Sequence, residues 1–215
     1  MRRARLIGVV ALALAVSARP GRAQDPRLAG RLDAGTRAAV EAIVDSVRAL
    51  GVPTDPLIAK ALEGASKNAP GARILAAVRR LSGELAAARG ALGAASSTAE
   101  LVAGAAALRA GAPVTALQRV RAVRTDETVA VHLAVLADLL ADGVPPDTAS
   151  LAVVALARAA LRDAELVAFR QSVDRDIALG APPGAAVAVR VNATARDQVL
   201  GAGASSPGPA RPRRP

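Results

Sequence analysis

The chain has 215 residues and a mass of 21.5 kDa, with 56 Ala, 18 Gly, one Phe, one Met, one His and no Cys, Trp or Tyr. Those absences exclude disulfide frameworks, thiolate nucleophiles, cysteine-based zinc or haem sites and aromatic platforms for stacking bases. The formal charge of +10 belongs to the two ends: Arg2, Arg3, Arg5, Arg19 and Arg22 lie near the start and Arg211, Arg213 and Arg214 near the finish, so 20 basic residues face 18 acids in between. A nearly neutral body without interleaved aromatics gives little support to a nucleic-acid-binding core, and no specific nucleic-acid partner is expected.

Residues 1–23 read as a secretory signal peptide. Arg2, Arg3 and Arg5 make the positive start, Leu6 to Val16 is an uncharged apolar run of 11 residues, and Gly21-Arg22-Ala23 offers small residues to a signal peptidase. Cleavage after Ala23 leaves Gln24 first, and a second candidate site follows Ala18. A membrane-spanning helix needs about 20 apolar residues, so cleavage is favoured over an uncleaved anchor, and a helical protein tethered by this segment is the third reading of the chain. The expectation is an exported protein, periplasmic or extracellular, meeting membrane only through this segment or the basic tail. Residues 24–35 are expected to lead loosely into the first helix.

One tripeptide recurs along the body: Gly51-Val52-Pro53, Asn68-Ala69-Pro70, Gly111-Ala112-Pro113, Gly143-Val144-Pro145 and Gly180-Ala181-Pro182. Gly, or Asn as next best, takes the left-handed conformation that ends a helix, and a Pro two positions later can open the next helix but not continue the last. The stops are 17, 43, 32 and 37 residues apart. The last three intervals suit two-helix units, and the first suits a single helix. Apolar residues between them recur at helical spacing, as in Val40, Ile43, Val44 and Val47, or Val129, Leu133, Leu136 and Leu140, or Leu166, Phe169, Val173 and Ile177. Ser97 with Glu100 has capping-box spacing, and Asp163 marks another start.

This pattern predicts helices near 36–50, 55–67, 71–92, 98–110, 114–124, 127–142, 147–161, 164–179 and 184–198. The last carries an alternative, because Val187, Val189 and Val191 alternate with a strand period; their Ala neighbours favour helix. The fold class is therefore all-α over residues 24–200, either irregular helical-hairpin repeats of solenoid type or a helical bundle. Because its apolar mass is Ala, Val and Leu, the helices must approach closely. From Gly201 to Pro215 the composition falls to Gly, Ala, Ser, Pro and Arg, which predicts a disordered Arg/Pro-rich tail.

The chain has only two lysines against 26 arginines, and both sit in the second predicted helix. Lys60 and Lys67 are seven apart with Glu63 between them, which places all three on one helical face. An ammonium kept where every other basic position is Arg suggests a need for its geometry and hydration, whereas Glu63 pairing with both neighbours gives the plainer reading. Lys60, Glu63 and Lys67 are the candidate binding residues. The run Gly51-Val52-Pro53, Pro56-Leu57, Lys60-Ala61-Leu62-Glu63-Gly64 and Lys67-Asn68-Ala69-Pro70 resembles a segment of exported bacterial helical proteins that also carry later Gly-x-Pro junctions. The resemblance implies a family over most of the mature chain and no activity.

No catalytic residue, metal site or cofactor follows from the sequence. His132, the single imidazole, would need carboxylates such as Glu127 or Asp138 to hold a metal, and its plainer role is a helix-face histidine, partly exposed or hydrogen-bonded. Asp174 and Asp176 face different sides of one helix, and Asp174 answers Arg170. The function expected is non-catalytic binding or scaffolding in the cell envelope, with an envelope protein or anionic polymer as partner and no assigned oligomeric state. The alternative is a carboxylate- or lysine-dependent envelope enzyme with a groove between helical repeats.

Overall fold

A computed structural model describes residues 25–204, with side chains through Arg196; the predicted signal segment and the tail from residue 205 lie outside the described residues. Nine α-helices are present among them and no strand: α1 Ala34–Ala49, α2 Asp55–Ser66, α3 Gly71–Leu92, α4 Thr98–Arg109, α5 Val114–Val123, α6 Ala130–Ala141, α7 Pro146–Arg158, α8 Asp163–Ala178 and α9 Pro183–Ala204. Each predicted helix is found, with starts displaced by at most three residues. None is long and apolar enough to cross a membrane among the described residues.

Two expectations at the ends need correction. Residues 24–35 are not a loose lead-in: Asp25 caps a 3₁₀ turn over Pro26–Leu28, its carboxylate accepting the Arg27 N–H at 2.9 Å, and Leu28 is wholly buried against α2. One large aliphatic side chain is enough to fix a short lead segment. At the other end α9 runs on to Ala204, past the predicted tail boundary at 201, because no residue before Pro207 forbids a helix. The strand period of Val187, Val189 and Val191 is overridden too. Val187 is buried and Val189 exposed, as residues on opposite sides of a helix are.

The recurrent tripeptides form one repeated device. Gly51, Asn68, Gly111, Gly143 and Gly180 have φ of 68, 52, 106, 83 and 97°. The next residue's N–H reaches back five positions: Val52 to the Val47 carbonyl at 3.1 Å, Ala69 to Gly64 at 3.0 Å, Ala112 to Ala107 at 2.9 Å, Val144 to Leu139 at 2.9 Å and Ala181 to Asp176 at 3.0 Å. This is the Schellman closure, and it explains why the middle residue is apolar: Val52, Ala112 and Val144 are buried against the helix just ended. Pro then sits one place earlier than the first helical turn. Pro70, Pro113 and Pro145 are the N-caps of α3, α5 and α7, with extended ψ and a carbonyl that accepts the first helical bond.

A sixth closure carries neither glycine nor asparagine. Ala160 has φ of 52° and Leu161 donates to the Leu156 carbonyl at 3.5 Å, ending α7. Leu161 is buried, so its docking holds the turn although Ala there is strained by roughly 1–2 kcal/mol. The turn also advances the next helix: Arg162, rather than Asp163, is the N-cap of α8, and its N–H donates to Glu165 at 2.7 Å.

The helices stack in two rows. α4, α6 and α8 pack in succession, as do α3, α5, α7 and α9, while α3 with α4, α6 with α7 and α8 with α9 join the rows; α1 and α2 close the α3 end. Helices two apart in sequence order are thus neighbours in space. The core is aliphatic, with Leu57, Leu85, Leu101, Leu117, Leu133, Leu136, Leu139, Leu156 and Leu166 fully buried and ten Ala among the buried apolar residues. Close approach replaces bulk. At Gly104 of α4 a Cβ would lie 3.1 Å from that of Ala88 and 3.3 Å from Leu92 and Leu117, so this contact of α4 with α3 and α5 has no room for a larger residue.

Ala160→Gly is expected to stabilise the chain by about 0.5–1 kcal/mol, the relieved strain being partly offset by greater freedom of the unfolded chain. Gly111→Ala, at a site where a new Cβ meets nothing within 4 Å, is expected to cost about 1 kcal/mol through φ alone. Urea denaturation midpoints at pH 7.5 check both; shifts of the same sign would contradict the assignment.

Candidate functional site

The lysine face is as the sequence places it, and Glu63 holds both ends. Lys60 Nζ donates to Glu63 Oε2 at 2.7 Å and Lys67 Nζ to Oε1 at 2.6 Å. The three side chains are 34, 69 and 45% exposed for Lys60, Lys67 and Glu63, so water screens the pairs. The hydrogen bonds from Lys60 and then Lys67 bring the Glu63 carboxyl down to about 2. In an exposed setting that shift carries little weight for stability. Chemically the face is a pair of ammonium groups, each with donors left over after serving one carboxylate.

Glu100 is the polar residue the sequence undervalued. Its capping box forms: Ser97 Oγ accepts the Glu100 N–H at 3.3 Å, and Glu100 Oε2 accepts the Ser97 N–H at 2.7 Å. The same carboxylate reaches two further segments. Oε1 accepts the Val129 N–H at 3.0 Å and a hydrogen bond from Arg121 Nη2, while Arg121 Nη1 donates to the carbonyls of Arg124 and Glu127. One buried charge thus ties the start of α4 to the end of α5 and the start of α6. Burial by itself would raise this carboxyl, but the donations from Val129, Ser97 and Arg121 outweigh it and bring it to about 2. The capping spacing alone gave no sign of partners 21 and 29 residues away. A cleft of about 430 Å³ opens beside this node, between residues 92–97 and 125–128.

A third cluster assembles from α6 and α8. Arg170 bonds Asp138 at 2.8 Å and Asp174 at 3.5 Å, so the pairing of Asp174 with Arg170 is present and α6 joins it. Asp142, at the end of α6, is brought beside Asp174. Burial, and then the charge of Asp174 and a shared hydrogen bond, push the Asp142 carboxyl above its ordinary value. The sequence nominated no carboxylate pair, since the two residues are 32 apart and meet only because α6 and α8 are adjacent in one row. Asp176 faces the other way and holds Arg190 of α9 by two bonds of 2.6 Å.

His132 departs from its expected role. It is neither partly exposed nor hydrogen-bonded: it is 1% exposed, with Nδ1 and Nε2 both unpartnered. The turn of α6 that places Leu133 and Leu136 in the core carries it in as well. The carboxylates considered for a metal are engaged elsewhere, Glu127 with Arg124 and Asp138 with Arg170. Among the described residues no group of three or more His, Cys, Asp or Glu side chains could hold a metal ion.

Three grooves follow α9. One of about 460 Å³ between α8 and α9 has Leu161 and Phe169 in its wall with Ser172, Thr194 and Arg190. The others lie between α7 and α9: an apolar groove of about 340 Å³ at Leu151, Ala155, Val187 and Val191, and one of about 310 Å³ beyond it toward Ala195. They arise from alanine on both helices, which leaves space where larger side chains would meet.

Glu100→Ala strands the Arg121 guanidinium and the Val129 N–H and is expected to cost about 3–5 kcal/mol, whereas Glu63→Ala leaves the urea midpoint unchanged. The Glu100 contribution is present above the ordinary glutamate range and is lost as pH falls from about 4.5 toward 2, because the unfolded chain binds the proton first. Equal effects of the two substitutions would contradict this ranking. The chain matches no family model, and neither a curated protein nor a solved structure is significantly similar to it.

Proposed function

We propose that this chain is exported and acts in the cell envelope as a non-catalytic binding or scaffolding protein, with an envelope protein or an anionic polymer as its partner. The observation that supports binding over chemistry is that the charged clusters neutralise themselves within the fold. Glu100 is spent on Arg121 and Val129, Arg170 on Asp138 and Asp174, Asp176 on Arg190, and Glu63 on its two lysines. What remains for a partner is surface: the α2 face with its spare ammonium donors and the grooves along α9. Stacked helices use such surfaces for recognition. The Arg211, Arg213 and Arg214 tail adds electrostatic contact to an anionic polymer or headgroup.

The second reading, a carboxylate-dependent envelope enzyme, rests on one pair. Asp142 with Asp174 provides a carboxyl that keeps its proton longer than usual beside one paired with Arg170, the kind of arrangement acid–base work requires. The lysine version has less support, since Lys60 is a third exposed and already bonded to Glu63.

Photoreactive crosslinking in native envelopes, using a reagent that does not depend on lysine, tests the binding reading. The expected result is a defined set of crosslinked partners that persists in Asp142→Asn and falls several-fold in the Lys60→Arg/Lys67→Arg double variant, whose folding is unchanged. An unaltered set in the double variant removes the lysine face from the proposal. N-terminal sequencing of the exported form is expected to begin at Gln24 or Arg19; a purified form beginning at Met1 inside the cell would overturn the export reading.

A further inference from the structure

The single imidazole lies where it is least stable when charged. His132, the third residue of α6, is 1% exposed and both ring nitrogens lack a hydrogen-bond partner. Buried polar groups in folded proteins are nearly always satisfied, and in a core of Leu and Ala an aliphatic side chain would fill the same space with no orphaned atoms. The bare ring is therefore a stored instability that a proton can release.

Its surroundings decide where the release occurs. The end of α5 contributes Arg124, whose charge opposes an imidazolium, and the first turn of α8 contributes Asp163, whose carboxylate favours one; α4 and α7, also packed on α6, contribute no charge that acts on the ring. Arg124 is itself held by Glu127. On the α4 side the start of α6 is locked by Glu100 through the Val129 N–H. On the α8 side the helix begins from the strained Ala160 turn and from Arg162, which makes no side-chain cap. Farther along, its polar ties to α6 are the half-exposed Arg170–Asp138 pair and the hydrogen bond that Asp142 shares with Asp174. The α8 junction is the weaker of the two.

We propose that His132 is an acid-operated release for the C-terminal helix pair: protonation of its ring opens the junction between the first turn of α6 and the start of α8, and α8 and α9 leave the stack before the remainder unfolds. Opening gives the imidazolium the water that the closed form denies it; the attraction of Asp163, which already acts in the closed form, is outweighed there by burial and by Arg124. The direction follows from linkage. Burial, and then Arg124, hold the ring to about 4 in the closed stack, against 6.5 when exposed. Between those values the open form binds more protons, so the closed-to-open ratio falls about tenfold for each unit of pH lost, and no further below 4. Carboxylates of ordinary strength remain charged over most of that window, and Asp142, whose carboxyl is raised in the folded form, acts in the opposite sense.

The test uses the purified mature chain without added histidines. In proton NMR the one imidazole gives one titration curve, expected to have its midpoint well below pH 5; a midpoint near 6.5 would overturn the proposal. In hydrogen exchange corrected for intrinsic rates, amides of α8 and α9 are expected to open about tenfold more per pH unit from 6.5 to 5 while those of α1 to α4 hold. His132→Leu is expected to remove that dependence. Opening of the whole chain together, no acid response in α8 and α9, or an equal response in a folded His132→Leu variant each contradicts it. If His132→Leu does not fold, the two wild-type measurements decide.

Discussion

The fold depends on the backbone hydrogen bond that closes each helix from beyond its own end. In five places a left-handed Gly or Asn lets the following N–H turn back to a carbonyl five residues earlier, and the residue carrying that N–H tucks a small apolar side chain under the helix. The carbonyls at a helix end would otherwise need water or a side chain, and few polar side chains are at hand in an alanine-rich chain. Proline immediately afterwards fixes φ for departure and offers its carbonyl to the next helix without competing for it. Each junction therefore sets a short, rigid reversal, and short reversals between helices of 10 to 22 residues lead naturally to two rows.

Small side chains make the rows close and also leave them unevenly filled. Where glycine or alanine faces a leucine, as at Gly104 against Leu92 and Leu117, the helices meet without a gap. Where alanine faces alanine, as between α7 and α9, grooves remain. The same composition that simplifies the core generates the surfaces on which a partner could rest. Large aromatic residues would have filled them, and the one such residue in the chain, Phe169, lies in the wall of the α8–α9 groove.

Against this apolar background a few polar contacts decide relationships that hydrophobicity leaves open. Glu100 is the strongest, because a carboxylate that is buried and met by four donors fixes three segments in one geometry. The lysine face is its opposite, two exposed pairs that shape a surface and contribute little to the fold. His132 is a third kind, a buried group with nothing to satisfy it.

Helix order, the extents of α1 to α8 and the all-α class were legible in the sequence, because apolar periodicity, the Gly-x-Pro stops and the Ser97 capping box are local signals read within one or two turns of chain. The Lys60–Glu63–Lys67 pairing was legible for the same reason, being made within one helix. Tertiary structure alone decided the rest. The left-handed Ala160 is held by the docking of Leu161, Leu28 is buried by α2, and His132 is carried into the core by α6, on which α4, α7 and α8 pack. Asp142 meets Asp174, and Glu100 meets Val129, only because a helix packs on the one two places later in the chain. Contacts across about 30 residues leave no periodic trace in a sequence; they exist once short, rigid turns have set which helix lies beside which.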